Sequence, residues 1–240
     1  KIFKLKQVIV EGSTVYGASG YHDAYDAYMG KEVSLADLQG IARAMTAQYR
    51  KDGYILSRVT LSPQKIKDGV VHLQVLEGYV DQITINGDLS GNSQLLRDMT
   101  DHIRAERPLN SKTLERYLLL VDDLPGVTAR AVLHASAKTK GASDLTVSLE
   151  NKTIEGSVGI DNRGNKFVGP FQLTGVAAYN SAFGLYDRTT ARIISDARFD
   201  ELLFGDLTHE EQIGSNGDRA TVHLASTHVE PAGRLKSLDI

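Results

Sequence analysis

Apolar and polar positions alternate over residues 3–11, where Phe3, Leu5, Gln7 and Ile9 are set against Lys4, Lys6, Val8 and Val10, and the run closes at Glu11-Gly12-Ser13. Alternation with β-branched residues and a turn signal predicts a strand. Tyr21, Tyr25 and Tyr28 then recur at helical spacing, and Gly30 can stop the short helix they predict. Ser34 with Asp37 predicts a capped helix start, and Leu35, Leu38, Ala42, Met45 and Tyr49 share one face of the helix that follows. Arg50 and Lys51 before Gly53 suit its C-terminus. Residues 54–61 read as a strand stopped at Ser62-Pro63, Asp68-Gly69 as a turn, and residues 70–76 as the partner strand. The predicted order is β-α-α-β-β.

From Tyr79 the order starts again. Ile83 to Asn86 is strand-like, and Leu95, Leu96, Met99 and Ile103 mark a helix. Asn110 or Ser111 can cap a second helix with Leu114, Leu118 and Val121 inside, ended by Pro125-Gly126. Strands follow at residues 127–135 and 145–149. Gly12 recurs as Gly87, Gly53 as Gly126 and Glu77 as Glu150, each 73–75 residues apart. A repeat of that size with the same elements predicts two tandem copies of one small domain. The Glu77-Gly78 step is then a boundary, at which the last strand of one copy hands over to the first strand of the next. So short a joint restricts relative motion.

After Glu150 helical periodicity stops. Ile154, Gly156, Val158 and Ile160 alternate with Glu155, Ser157, Gly159 and Asp161, and Phe171 to Asn180 alternates likewise. Further strand-like runs fill residues 188–195, 201–209 and 219–229. Imperfectly amphipathic runs of about ten residues are the signature of transmembrane β-barrel strands. About five are expected, short of the roughly eight a closed barrel needs, and residues 236–240 read as the start of another. The reading is a barrel cut inside its strands, so that residues 1–78, 79–152 and 153–240 form domain one, domain two and an incomplete barrel.

Composition adds limits. Among 240 residues, 41% are apolar and 24% charged, which fits folded protein. The net charge of −3 suggests no nucleic-acid surface. The absence of Cys excludes disulfides, thiolate metal sites and Cys nucleophiles. Lys1 opens directly on strand-like sequence, so a leader is absent or already removed.

Residues 49–88 resemble the tandem POTRA region of two-partner secretion transporters, the TpsB or haemolysin secretion/activation family. The features are Gly53-Tyr54 before the second strand, Leu61-x-Pro63-Gln64 at its end, the Asp68-Gly69 turn, and the exit Glu77-Gly78-Tyr79. The runs GIDNRGNKFVGP and DELLFGDL are similar to first barrel strands of that family. The resemblance implies an outer-membrane location with residues 1–152 in the periplasm. It implies no enzyme activity and no cofactor or metal. The partners it implies are an unfolded secreted exoprotein and outer-membrane lipid, with no nucleic acid. The alternative is a periplasmic POTRA scaffold for outer-membrane protein assembly.

The resemblance also implies that strands one and two of each POTRA sheet lie at the edges, and that strand two takes up an extended segment by β-augmentation. Exposed edge groups give sequence-tolerant affinity. The candidate client-binding residues are Tyr54, Ile55, Ser57, Arg58, Val59, Thr60 and Leu61 in copy one, and Val127, Thr128, Arg130 and Val132 in copy two. Arg58 and Arg130 fall at equivalent places and either attract an acidic segment or are solvated strand positions. None of the seven His has metal-ligand spacing. Asp122-Asp123 reads as a helix end, and the Gly-rich run 87–92 lacks the Lys of a phosphate loop and reads as a turn that can touch a client. The three tyrosines at 21, 25 and 28 read as packing residues, with one free to bind.

Overall fold

The computed structural model describes residues 2–87, 91–165 and 167–230. Residues 88–90 of the Gly-rich turn and the strand expected at 236–240 lie outside the described residues. Contacts divide the chain into two compact units; the first copy lies in one and the sheet that ends the chain in the other, and the second copy contributes elements to both.

The first copy opens with β1 (Phe3–Lys4) and β2 (Gln7–Glu11). The single strand expected over 3–11 is broken at Leu5. Leu5 is fully buried, its N–H donates to Lys31 O, and its carbonyl accepts from Gly30 N. That anchors β1 on β3 (Glu32–Val33) while β2 joins another sheet. Between them the tyrosine run forms a short helix, α1 (His22–Tyr25), flanked by 3-10 turns at Ala18–Tyr21 and Asp26–Tyr28. Tyr21 and Tyr25 are buried and Tyr28 is half-buried, so the packing reading holds for the first two.

The long helix α2 (Leu35–Lys51) starts at a complete capping box. Asp37 N donates to Ser34 Oγ, and Ser34 N donates to the Asp37 carboxylate. The bond from Ser34 N, and a second from Ser34 Oγ at 2.7 Å, hold the Asp37 carboxyl below its usual range, the backbone bond contributing most. Leu38, Ile41, Ala42, Met45 and Tyr49 are buried, whereas Leu35, expected on the same face, is 56% exposed. β4 (Arg58–Thr60) and β5 (Val70–Leu76) complete the copy. β2 pairs parallel and β4 antiparallel to β5, giving the order β2-β5-β4 with strand two at an edge.

The second copy holds β6 (Val80–Gly87), α3 (Ser93–Ala105), α4 (Ser111–Asp122), β7 (Val127–Ala135) and β8 (Ser143–Asn151). Its sheet order β6-β8-β7 repeats the first. Leu95, Leu96, Met99 and Ile103 are buried as their spacing predicts. In α4, Tyr117 is buried in the place expected for Leu118, and its ring stacks on His102 at 4.4 Å.

The remaining strands are β9 (Ile154–Asp161), β10 (Gln172–Asn180), β11 (Arg188–Asp196), β12 (Leu202–Ile213) and β13 (Asp218–Val229). They form one antiparallel meander in sequence order. Registers such as Gly175↔Val158, Gly175↔Ile193, Ile193↔Gly205 and Leu207↔Leu224 carry one set of faces across the sheet.

Candidate functional site

The expected edge strand over 54–61 is only three residues long. Gly53 leaves α2 with φ +94, and the chain then curls: Tyr54 N donates to Tyr49 O, Ile55 N to Gly53 O and Ser57 N to Tyr54 O. Those bonds consume the backbone groups that a longer strand would offer. Tyr54 instead packs against Tyr49, ring centroids 6.0 Å apart, and Ser57 is buried with its Oγ accepting from Gly78 N at 3.1 Å. Ile55 is 43% exposed at the turn. Arg58 stands exposed on β4, Val59 is buried, and Thr60 is half-buried.

Past Leu61 the family motif takes on a physical role. Gln64 Nε2 donates to His72 O at 2.7 Å, and His72 N donates to Gln64 Oε1 at 2.9 Å. One side-chain amide thus pairs both backbone groups of a β5 residue where β4 has ended. Pro63 holds the segment extended before it. Beside it lies a groove of about 620 Å3 lined by Leu35, Ala42, Val59, Leu61, Pro63 and Ile66 among others. A second, of about 760 Å3, shares Leu35, Gln64 and Ile66 and runs on to Ile2 and Phe3. The misplaced Leu35 is therefore a groove wall. Asp68 and Gly69 both have positive φ, and a Cβ on Gly69 would stand 2.3 Å from Lys4 O.

Glu77 is more than a boundary marker. Its carboxylate accepts from Thr14 N at 2.7 Å, Thr14 Oγ1 at 2.5 Å, Val15 N at 3.0 Å and Tyr49 OH at 2.8 Å. Burial pushes the Glu77 carboxyl up, but the Thr14, Val15 and Tyr49 bonds outweigh it and hold it below the usual carboxylate range. Tyr49 OH also meets Tyr21 OH at 2.8 Å and Ser13 Oγ at 2.9 Å. Burial raises the Tyr49 phenol well above its ordinary value, so it stays protonated. This network ties the loop after β2 to the end of β5. Its members are far apart in sequence, and local patterning carries no trace of it.

At the joint, Leu109 N donates to Gly78 O at 3.0 Å, Ser111 N to Gly53 O at 2.8 Å and Asn110 Nδ2 to Asp52 O at 3.0 Å. The C-terminal end of α2 thus meets the N-terminal end of α4. The Arg107 guanidinium lies 3.9 Å from the centroid of the Tyr79 ring.

In the second copy the edge is a full strand. β7 runs for nine residues, with Val127 buried and Thr128, Arg130 and Val132 exposed. Asp122 closes α4 and accepts Ala129 N at 2.7 Å, a helix-end role like the one expected.

The terminal sheet has two faces. Ile154, Val158, Ile160, Tyr179, Ile193, Leu203, Leu207, Val222 and Leu224 are exposed, and their registers put them all on one side. The other side carries Glu155, Ser157, Arg188, Thr190, Arg192, Asp206, Thr208 and His223. Arg192 pairs with Asp206 at 2.6 Å, His223 approaches the same carboxylate at 3.9 Å, and Arg188 meets Glu155 at 3.5 Å. His223 and His228 face opposite sides of β13, as their odd separation requires. The side chains of Asp196, Asp200 and Glu201 converge at the turn after β11. Asp196 spends its oxygens on the N–H groups of Arg198, Asp200, Glu201 and Leu202, so it shapes that turn. No helix among the described residues is long and apolar enough to cross a membrane.

Two α+β domains of the same element order precede an antiparallel sheet with one apolar and one charged face. Residues 3–78 match the POTRA domain of ShlB type, and the first copy is a domain of that kind. The chain is 29% identical over 212 residues to the heme/hemopexin transporter protein HuxB of Haemophilus influenzae, covering 88% of this chain and 37% of that one. It is 27% identical over 191 residues to the outer membrane transporter CdiB of Escherichia coli, covering 79% and 32%. The solved structure of CdiB from Escherichia coli superposes with a TM-score of 0.72 at 24% identity, over 95% of this chain and 46% of that one. The chain spans about a third of the length of the curated relatives it matches.

Proposed function

We propose that this chain is the receiving part of an outer-membrane protein-translocation component. Residues 1–78 and 79–152 are two POTRA domains in the periplasm, and residues 153–240 begin the wall of a β-barrel in lipid. The POTRA pair takes an unfolded secreted exoprotein in extended form and passes it to the charged face of that wall. Tyr54, Ile55, Ser57, Arg58, Val59, Thr60 and Leu61 form the client-binding region of the first copy. Val127, Thr128, Arg130 and Val132 form that of the second. Relatives that carry the word transporter in their names support this reading. Transport is then a matter of binding and guidance, with no bond made or broken by the chain.

The observation that carries the proposal is the two-faced sheet joined directly to the second copy. Exposed Ile, Val or Leu side chains on β9, β11, β12 and β13, with Tyr179 on β10, are costly in water and favourable in a bilayer. The chain has no cysteine, so single cysteines report cleanly. In outer-membrane vesicles carrying the protein, a water-soluble maleimide is expected to label cysteines at 155, 157, 174 and 192 and to spare those at 158, 160, 193 and 207. Equal labelling on both faces would remove the membrane wall from the account.

A further inference from the structure

Where the chain passes from the second copy into the terminal sheet, three of the sheet's connections meet residues of that copy, all within one compact unit. The first contact is backbone. Lys152 N donates to Gly126 O at 2.7 Å, Asn180 N to Thr153 O at 2.8 Å, and Asn180 Nδ2 to Lys152 O at 2.7 Å. Asn180 is buried, and Gly126 has φ +72 where a Cβ would stand 2.4 Å from Lys152 O. These bonds sit beside the covalent link itself.

The second contact is a ring in a socket. Tyr186, in the turn from β10 to β11, is fully buried. Gly91 lies so close that a Cβ there would stand 2.6 Å from Tyr186 Cε2 and Cζ. The Gly-rich run expected to touch a client thus receives the chain's own turn at Gly91. Tyr186 and Ser181 both have φ +56, in the left-handed region that residues other than Gly enter at a cost. The buried Asp187 carboxylate sustains the turn, accepting from Phe183 N at 3.0 Å and Leu185 N at 3.3 Å.

The third contact is at the turn from β12 to β13. Arg219 Nη2 donates to Asp123 O at 3.0 Å, and a Cβ on Gly217 would meet Leu120 Cδ2 at 2.7 Å. Residues of the first and third contacts border a crevice of about 420 Å3, whose charged lining includes Asp122, Asp123, Lys152, Glu155, Arg188 and Glu210. Parts of a chain that meet through small, polar contacts separate readily, whereas large apolar interfaces hold them rigid. A contact that carries backbone strain on one side opens at a lower cost still.

We infer that residues 120–126 and the loop at Gly91 are hinged on the sheet. The bonds around Asn180 are the pin, and the Tyr186–Gly91 and Arg219–Asp123 contacts are clasps that keep the charged crevice narrow. Releasing the clasps widens the crevice, whose floor of Glu155, Arg188 and Glu210 belongs to the charged face of the sheet. Tyr186 is a positioning residue, since it acts on a crevice that it does not line. That the widened crevice admits a client to the charged face rests on the proposed translocation reading; the hinge itself does not.

The test needs no client, so its failure leaves that reading standing. The chain has no Cys. Glu210→Cys in the crevice and Thr174→Cys on the same face outside it therefore report by their rates of modification with a bulky, water-soluble maleimide, using the whole chain in detergent. Tyr186→Ala and Gly91→Val break the clasp from opposite sides. Each is expected to speed modification at 210 at least about fivefold, the effect of taking one buried ring from a two-state contact, and to leave the rate at 174 unchanged. Tyr186→Phe keeps the ring and is expected to match the parent. In every variant the Lys152 amide should stay protected from hydrogen exchange, because the pin is intact. Equal rates at 210 in all variants, or a Tyr186→Phe as fast as Tyr186→Ala, would show that the ring in its socket does not hold the crevice. Lost protection at Lys152, or faster modification at 174 as well, would mean that the joint or the sheet loosens as a whole. Any of these results overturns the hinge.

Discussion

Glu77→Ala is expected to cost the first copy about 3 kcal/mol at neutral pH, since a charged acceptor is worth roughly 1.5–3 kcal/mol per bond where its donors are left buried. Four donors converge on that carboxylate, two of them from Thr14 and one from buried Tyr49. Thr14 can turn to water, so the loss is smaller than four full bonds. Tyr49 and Val15 cannot do so as easily. The effect has a pH signature. The folded carboxyl lies below its ordinary value, so the folded state prefers it ionised. Its contribution is complete above the unfolded value of about 4.3 and fades as pH falls through the lower folded value. Urea unfolding across that acid range should show parent and variant converging as pH drops. A constant gap between them would mean that Glu77 acts through packing and not through its charge.

Gly78→Val is the second large effect. A Cβ at residue 78 would stand 2.4 Å from Leu56 O and 2.5 Å from Leu56 Cβ, distances no real Cβ occupies. The neighbour is backbone held by the 54–57 curl, so it cannot swing away. Gly78 also receives Leu109 N on its carbonyl and donates to Ser57 Oγ, which ties both copies to this one residue. Overpacking such a site costs about 2–3 kcal/mol. Exchange at the amides of Leu109 and Ser111 should accelerate, because both bonds cross the joint. Gly40→Ala on α2 is the control. Nothing lies within 4 Å of a Cβ there, and a helix interior favours Ala, so that variant should gain up to about 1 kcal/mol. Equal effects of the two substitutions would deny that Gly78 is a close-packed joint.

These two residues mark what the chain's pattern could and could not announce. Local signals were legible. The capping box at Ser34 and Asp37, the strand Val70–Leu76 and the apolar face of α3 lie where periodicity and turn chemistry put them. The alternation after Glu150 located the terminal strands, because a sheet with one apolar face must alternate. Long-range ties were not legible. Residues 54–61 have strand composition, yet the bonds around Gly53 curl half of them. Leu5 breaks a run that alternates well, because Lys31 and Gly30 claim its backbone. Edge status followed from the family pattern, but that Val59 N–H already donates to Thr46 Oγ1 at 2.9 Å is a tertiary fact. The amide of Gln64 was visible only as a motif letter; its pairing with His72 gives that letter a cause.

The central claim is that the tandem copies hold a polypeptide because it is unfolded. The most direct measurement is binding of the chain in detergent to the N-terminal domain of a candidate secreted exoprotein, prepared in its native form and in a form kept unfolded by a core-disrupting substitution. Saturable binding to the unfolded form alone, weakened when an extended Thr/Val peptide is added, is the predicted result. Equal binding to the native form, or none to either, would contradict it.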